Sequence, residues 1–185
     1  MDGNMTANAL RALVPPPKHP VAAGAGKVWP EIKPGVSFPA DYMEFVDSYG
    51  AGKIANFVVL FNPFSPERSV NLFEQSSLIL TDLDELNRAD PDYFDYPLFV
   101  TTEGLIPVGV TDNGDYLFWA ARSDRDSDHW GVAIVAARSP EIEHFQLNLT
   151  TMLADVLSGA LKPRSFPSTL AHGMASFDPI AKVCL

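Results

Sequence analysis

Three carboxylates alternate along a short polar stretch of the chain, at Asp124, Asp126 and Asp128. Carboxylates at positions one, three and five open a calcium-binding loop of the EF-hand type. Such a loop also needs glycine at position six and glutamate at position twelve, where this sequence has His129 and Val135. The pattern therefore favours a solvated loop between strands. A metal-dependent hydrolase built on the three aspartates is kept as an alternative.

Other catalytic and ligand-binding signatures are missing from the sequence. The four histidines, at positions 19, 129, 144 and 172, lie too far apart to form the paired metal ligands of a zinc-binding helix. The single cysteine, Cys184, excludes an intramolecular disulfide and a cysteine-based zinc site. No Gly-x-Ser-x-Gly motif is present. The sequence predicts a protein without catalytic residues, cofactor or bound metal.

Acidic residues are concentrated in the middle of the chain. The formal net charge is −10, and residues 74–128 contain thirteen acidic and three basic residues, so this segment holds the whole excess. A negative surface repels nucleic-acid phosphates and steers a basic protein partner. Acidic loops that only keep a domain soluble are the alternative. The carboxylates predicted to bind a partner are Asp82, Asp84, Glu85, Asp112, Asp115, Asp124, Asp126 and Asp128.

The elements that position these carboxylates are predicted from apolar periodicity. In chain order they are a helix over residues 39–49, a strand over 54–61, a helix over 78–88, strands over 106–111, 116–122, 130–137 and 142–147, and a helix from residue 149. Thr81 or Asp82 is the expected cap of the second helix. Asn113-Gly114 predicts a two-residue type I′ turn that pairs its flanking strands antiparallel.

This order of elements predicts an α+β fold, with helices packed against an antiparallel sheet. The chain length of 185 residues suits one domain. Proline- and alanine-rich residues 1–28 predict a flexible leader outside the core, residues 29–161 the domain, and residues 162–185 an irregular tail. No apolar run is long enough to cross a membrane, no export signal is evident, and a lone cysteine suits a reducing compartment. A cytoplasmic protein is therefore expected.

Four segments resemble one known family. The segment from Phe38-Pro39-Ala40-Asp41-Tyr42 to Tyr49-Gly50 resembles the opening motif of the SUKH superfamily, which includes the domain of the yeast cell-wall assembly regulator. Residues 107–119, which contain Asp112-Asn113-Gly114-Asp115, resemble its Asn-Gly-Asp hairpin, and residues 145–159 resemble its closing strand and helix. Residues 71–75 are similar to its actinobacterial branch. The resemblance extends over residues 29–160.

The sequence departs from the family pattern at two points. The family commonly begins with a longer acidic amphipathic helix, whereas residues 29–35 contain two prolines and predict only a turn, so that first helix is expected to be missing. Phe38 replaces the usual leucine, which is a conservative change.

The resemblance implies a single α+β domain without catalysis and supplies no catalytic residues. For bacterial members it implies an immunity protein that binds and neutralises a cognate polymorphic toxin. Other members are interaction scaffolds, so a regulatory scaffold with an endogenous partner remains the alternative.

Overall fold

Seven strands form one antiparallel sheet in the computed structural model, which describes residues 9–99, 103–137, 139–172 and 175–180. The spatial order is β6-β5-β4-β3-β2-β1-β7. The strands are β1 Gly52–Ile54, β2 Val58–Leu60, β3 Gly104–Thr111, β4 Tyr116–Ala121, β5 Gly131–Val135, β6 Ile142–Phe145 and β7 Phe177–Pro179. The predicted α+β class, with helices packed on an antiparallel sheet, is confirmed.

Helices pack on both faces of this sheet. They are α1, whose described residues are 9–13, α2 Ala40–Tyr49, α3 Leu72–Ala89 and α4 Leu149–Ser158. Short 3-10 helices cover Ser127–His129 and Ser168–His172. Among the described residues, no helix has the length and apolar character that a bilayer crossing requires.

Strand register assigns the central side chains to the two faces, since directly paired residues share a face. Trp119 is paired with Ile106 and Val132, and its ring meets that of Tyr42 edge to face at 4.9 Å, so α2 packs on this side. Phe118 belongs to the opposite face, on which α3 packs. Both Trp119 and Phe118 are fully buried, and the sheet therefore lies inside the core.

Hydrogen bonds tie the starts of α2 and α4 to distant parts of the chain. The backbone N–H of Ala40 donates to Asp128 Oδ1 at 2.6 Å, and that of Thr150 donates to Asp41 Oδ2 at 2.9 Å. The Asn148 side chain caps α4 by accepting a hydrogen bond from the N–H of Thr151. These bonds satisfy amide groups that the first turn of a helix leaves without partners.

The β3–β4 hairpin is antiparallel, as predicted, but its turn differs. Gly114 has φ 85°, whereas Asn113 keeps negative φ, so the predicted two-residue type I′ turn is wrong. Hydrogen bonds from Gly114 N to Thr111 O at 3.0 Å and from Thr111 N to Asp115 O at 2.9 Å close a three-residue loop. This is a type I turn followed by a glycine bulge. The extra residue lets the Asp115 carboxylate turn inward and bind the Thr111 hydroxyl.

The single strand predicted over residues 54–61 is two strands, β1 and β2. Ala55 and Asn56 both have φ 50°, and Phe57 N donates to Ile54 O at 3.0 Å across them. Positive φ at both central residues is the pattern of a type I′ turn. This turn could not be predicted from the sequence because neither central residue is glycine.

Two apolar side chains of the leader belong to the core, although the leader was expected to lie outside it. Leu10 and Val14 are fully buried, and the Val14 carbonyl accepts a hydrogen bond from the Tyr49 hydroxyl. Arg11 forms an ion pair with Glu44 at 3.0 Å. Residues 29–35 do form only a turn, as their prolines predict, but a helix occurs earlier, at α1.

The tail is also more ordered than expected. Phe166 is buried against Phe57, and β7 pairs with β1 at the edge of the sheet, with Phe177 packed on Tyr49. These aromatic side chains are isolated in the sequence, so periodicity gave no signal for them. Cys184 lies outside the described residues.

Candidate protein-binding site

The longest helix, α3, begins six residues before its predicted start. The Asn71 side chain caps it by accepting hydrogen bonds from the N–H groups of Phe73 at 3.1 Å and Glu74 at 3.2 Å. Its own amide donates to the Ser65 carbonyl at 2.8 Å. The predicted caps, Thr81 and Asp82, lie inside the helix. Leu72, Ile79 and Leu83 form its buried stripe.

The outward face of α3 presents an apolar side chain among carboxylates. Leu78 is 52% exposed, and Glu74, Asp82 and Glu85 are exposed at helical positions i−4, i+4 and i+7 from it. Residues at these spacings share one face of a helix. This face therefore combines negative charge with an uncovered apolar side chain.

The segment that follows α3 is held to this helix and to the β5–β6 connection by side-chain hydrogen bonds. The Asn87 amide donates to Tyr96 O and accepts from Tyr96 N, both at 2.9 Å, and the Tyr96 hydroxyl donates to Ser139 O at 2.9 Å. The segment exposes Tyr93, at 55%, together with three carboxylates. Those carboxylates belong to Asp90, Asp92 and Asp95.

An apolar cleft of about 450 Å³ lies between α3, this exit segment and the sheet. We call it the α3 cleft. No basic side chain is among its described lining residues, which are Leu83, Leu86, Phe94, Tyr96, Gly114, Tyr116, Val135, Ala136 and Ala137. Clefts of this size that are mostly apolar and hold a few polar groups are typical binding sites.

Two tyrosine hydroxyls are the polar groups of the α3 cleft. Burial raises the pKa of Tyr116, and the negative charge of Asp82 raises it further. Burial also raises the pKa of Tyr96, with a smaller contribution from Tyr93. Both hydroxyls therefore stay protonated at neutral pH.

The predicted partner-binding residues of α3 are near this cleft. Asp82 and Glu85 are exposed and form no ion pair with any described residue, whereas Asp84 binds Arg88 at 2.5 Å, one helical turn away. The pairing neutralises part of the charge of Asp84. Asp82 and Glu85 thus keep the charge that a partner could meet.

The two predicted residues of the β3–β4 turn are engaged within the fold. Asp112 forms an ion pair with Lys53 at 2.7 Å. Asp115 is only 4% exposed, and its carboxylate accepts from the Thr111 hydroxyl at 2.8 Å and the Ala137 N–H at 3.0 Å. Asp115 therefore stabilises the hairpin, and its carboxylate is not accessible to a partner.

The three alternating aspartates lie in the β4–β5 loop, at the other end of β4. Asp124 binds Arg122 at 2.9 Å, Asp126 contacts His129 at 2.6 Å, and Asp128 caps α2. Their carboxylates are directed to separate partners. Among the described residues, no group of three or more His, Cys, Asp or Glu side chains could hold a metal ion.

A second cleft, of about 420 Å³, lies on the same sheet face at the β4–β5 loop end. Its apolar floor includes Leu98, Leu105 and Ala120, and its rim carries Arg122 and Arg125. Both arginines are ion-paired with Asp124, at 2.9 and 3.4 Å. Arginine side chains therefore border this cleft, unlike the described lining of the α3 cleft.

The sequence did not indicate that Leu86 and Tyr93 accompany the α3 carboxylates at this surface. The available signal is that Leu78 falls off the stripe formed by Leu72, Ile79 and Leu83, whereas Leu86 continues that stripe at i+3 from Leu83. In comparisons with known proteins, no family model matches the chain, and no curated protein or solved structure matches it either.

Proposed function

We propose that this protein is a non-catalytic immunity protein that binds and neutralises a cognate polymorphic toxin in the cytoplasm. The observation that carries the proposal is the α3 surface, on which Asp82 and Glu85, unpaired among the described residues, are exposed together with Leu78 and Leu86. Exposed apolar side chains with a charged surround are characteristic of protein-interaction sites.

Two further observations support binding over chemistry. The resemblance to the SUKH superfamily, at residues 38–50 and 107–119, implies a binding domain and supplies no catalytic residue. The aspartates considered for a metal-dependent hydrolase have other partners, since Asp124 binds arginine and Asp128 caps a helix.

Co-expression in a bacterial host tests the proposal directly. The toxin domain encoded beside this chain's gene is induced with and without the protein, and colony formation is measured. We expect the wild-type protein to restore growth. A core variant, Phe118→Asp, is the control that should lose protection, because Phe118 is fully buried. If no neighbouring gene encodes a toxin, or if the wild-type protein leaves it lethal, the immunity proposal fails and an endogenous scaffold role takes its place.

A further inference from the structure

Several exposed apolar side chains belong to α3 and to the segment that follows it. The large apolar side chains that are exposed among the described residues include four from α3 and the segment after it. These four are Phe73, Leu78, Leu86 and Tyr93. Leu86 is the member of this set that also lines the α3 cleft. Burial of such a surface by a partner is favourable because it removes apolar area from water.

The charge around the α3 cleft selects the kind of partner. Asp82, Glu85 and Asp95 are exposed carboxylates on the elements that border the cleft, and the nearby Arg88 is already paired with Asp84. A nucleic acid or an anionic membrane would be repelled by these groups. A second copy of this chain would bring the same negative surface into contact, which is also unfavourable.

We infer that the toxin docks over the α3 cleft, inserts an apolar or aromatic side chain into it, and places lysine or arginine side chains against Asp82 and Glu85. This inference rests on the proposed function and adds the surface and the chemistry of the partner. A buried apolar anchor within a charged rim is the usual arrangement of an energetic centre at a protein interface.

Charge reversal at α3 is the first test, with the purified toxin domain as the probe. Asp82→Lys with Glu85→Lys should raise the dissociation constant about 30-fold or more at physiological salt. The matched control is Asp155→Lys with Asp178→Lys, which changes the net charge equally at residues that do not line the cleft. The control should stay within about threefold of wild type. Equal losses in both variants would overturn the inference.

Removal of the apolar contact is the second test. Leu86 and Leu13 are both 39% exposed, but Leu13 lies in α1, away from the cleft. Leu86→Ser should raise the dissociation rate about tenfold, whereas Leu13→Ser should leave it unchanged. Melting temperatures equal to wild type show that the variants are folded. An unchanged dissociation rate for folded Leu86→Ser would overturn the inference.

Co-expression separates this inference from the proposed function. If the wild-type protein fails to protect against the toxin, the proposed function itself fails. If wild type protects and Asp82→Lys with Glu85→Lys protects equally well, only the docking site is wrong. The remaining alternative, that a second copy of this chain occupies the surface, is tested by sedimentation of the protein alone. A wild-type dimer that becomes a monomer in Leu86→Ser would assign the surface to self-association and overturn the inference.

Discussion

Gly114 closes the β3–β4 hairpin with φ 85°, in the left-handed region that β-branched residues avoid. A Cβ at this position would meet only the Ala137 Cβ, at an ordinary 3.6 Å, so backbone strain alone decides the effect of a substitution. Gly114→Val should lower the free energy of unfolding by about 1 kcal/mol or more. Gly114→Asn is the control and should cost less, because asparagine tolerates positive φ. Urea unfolding measures both, and equal stability of the valine variant would contradict the observed turn.

Asp41 joins two helices through a nearly buried carboxylate. Burial raises its pKa above 3.8, against the lowering effect of the Thr150 hydrogen bond. A raised pKa means that the folded state binds the proton more tightly than the unfolded chain. The stability that Asp41 contributes is therefore present below pH 3.8 and is lost as pH rises through the raised pKa.

Asp41→Asn tests this sign. Asparagine keeps an oxygen that can accept from the Thr150 N–H, but it does not ionise. Wild type should lose stability relative to the variant as pH increases from about 3.5 to 6.5. Urea unfolding of both proteins across this range gives the difference. A difference that is constant, or that changes in favour of wild type with rising pH, would contradict the assignment.

At the scale of elements, the start of α3 depends on one side chain. Asn71→Ala removes the acceptor for the N–H groups of Phe73 and Glu74 and should cost about 1 to 2 kcal/mol of unfolding free energy. Asn71→Asp is the matched control, because aspartate keeps the cap oxygen and suits the positive end of the helix dipole. We expect it to lose only the bond to Ser65. Equal stability of both variants by urea unfolding would count against the cap.

The sequence predicted α2, α4 and the β3–β4 pairing because their apolar periodicity ends at Gly50, Gly159 and Asn113-Gly114. It missed the start of α3 because polar residues 74–77 interrupt the apolar pattern after Leu72. It missed the packing of α1, which depends on tertiary contacts such as Tyr49 with Val14. Such contacts join residues far apart in the chain, so local patterns carry no trace of them.

The candidate site could be predicted only in part, for a related reason. Composition identified the acidic segment, but it did not distinguish carboxylates that the fold uses from those it leaves exposed. The carboxylates of Asp115 and Asp128 accept hydrogen bonds from the backbone N–H groups of Ala137 and Ala40, respectively. Each of these partners is more than twenty residues away in the chain, and apolar periodicity carries information only about nearby residues.

At the scale of the whole molecule, the acidic segment is divided between the two ends of β4. Tyr116 and Gly114, at one end, line the α3 cleft, whereas the β4–β5 loop with Asp124 and Asp126 follows the other end. A strand of six residues spans about 20 Å. The two ends should therefore influence a basic partner differently, one by contact and the other through the long-range field.

This division predicts how salt changes the association rate with the toxin domain. The Debye length is about 30 Å at 0.01 M salt and about 10 Å at 0.1 M, so the loop charges reach the cleft only at low salt. The wild-type association rate should fall about tenfold between 10 and 150 mM salt. Asp124→Lys with Asp126→Lys should slow association at 10 mM, lose that effect at 150 mM, and leave the dissociation rate unchanged. Stopped-flow kinetics at both salt concentrations measures each rate. A change in the dissociation rate of this loop variant at 150 mM would mean that the β4–β5 loop touches the partner. A wild-type association rate that does not change with salt would exclude electrostatic steering.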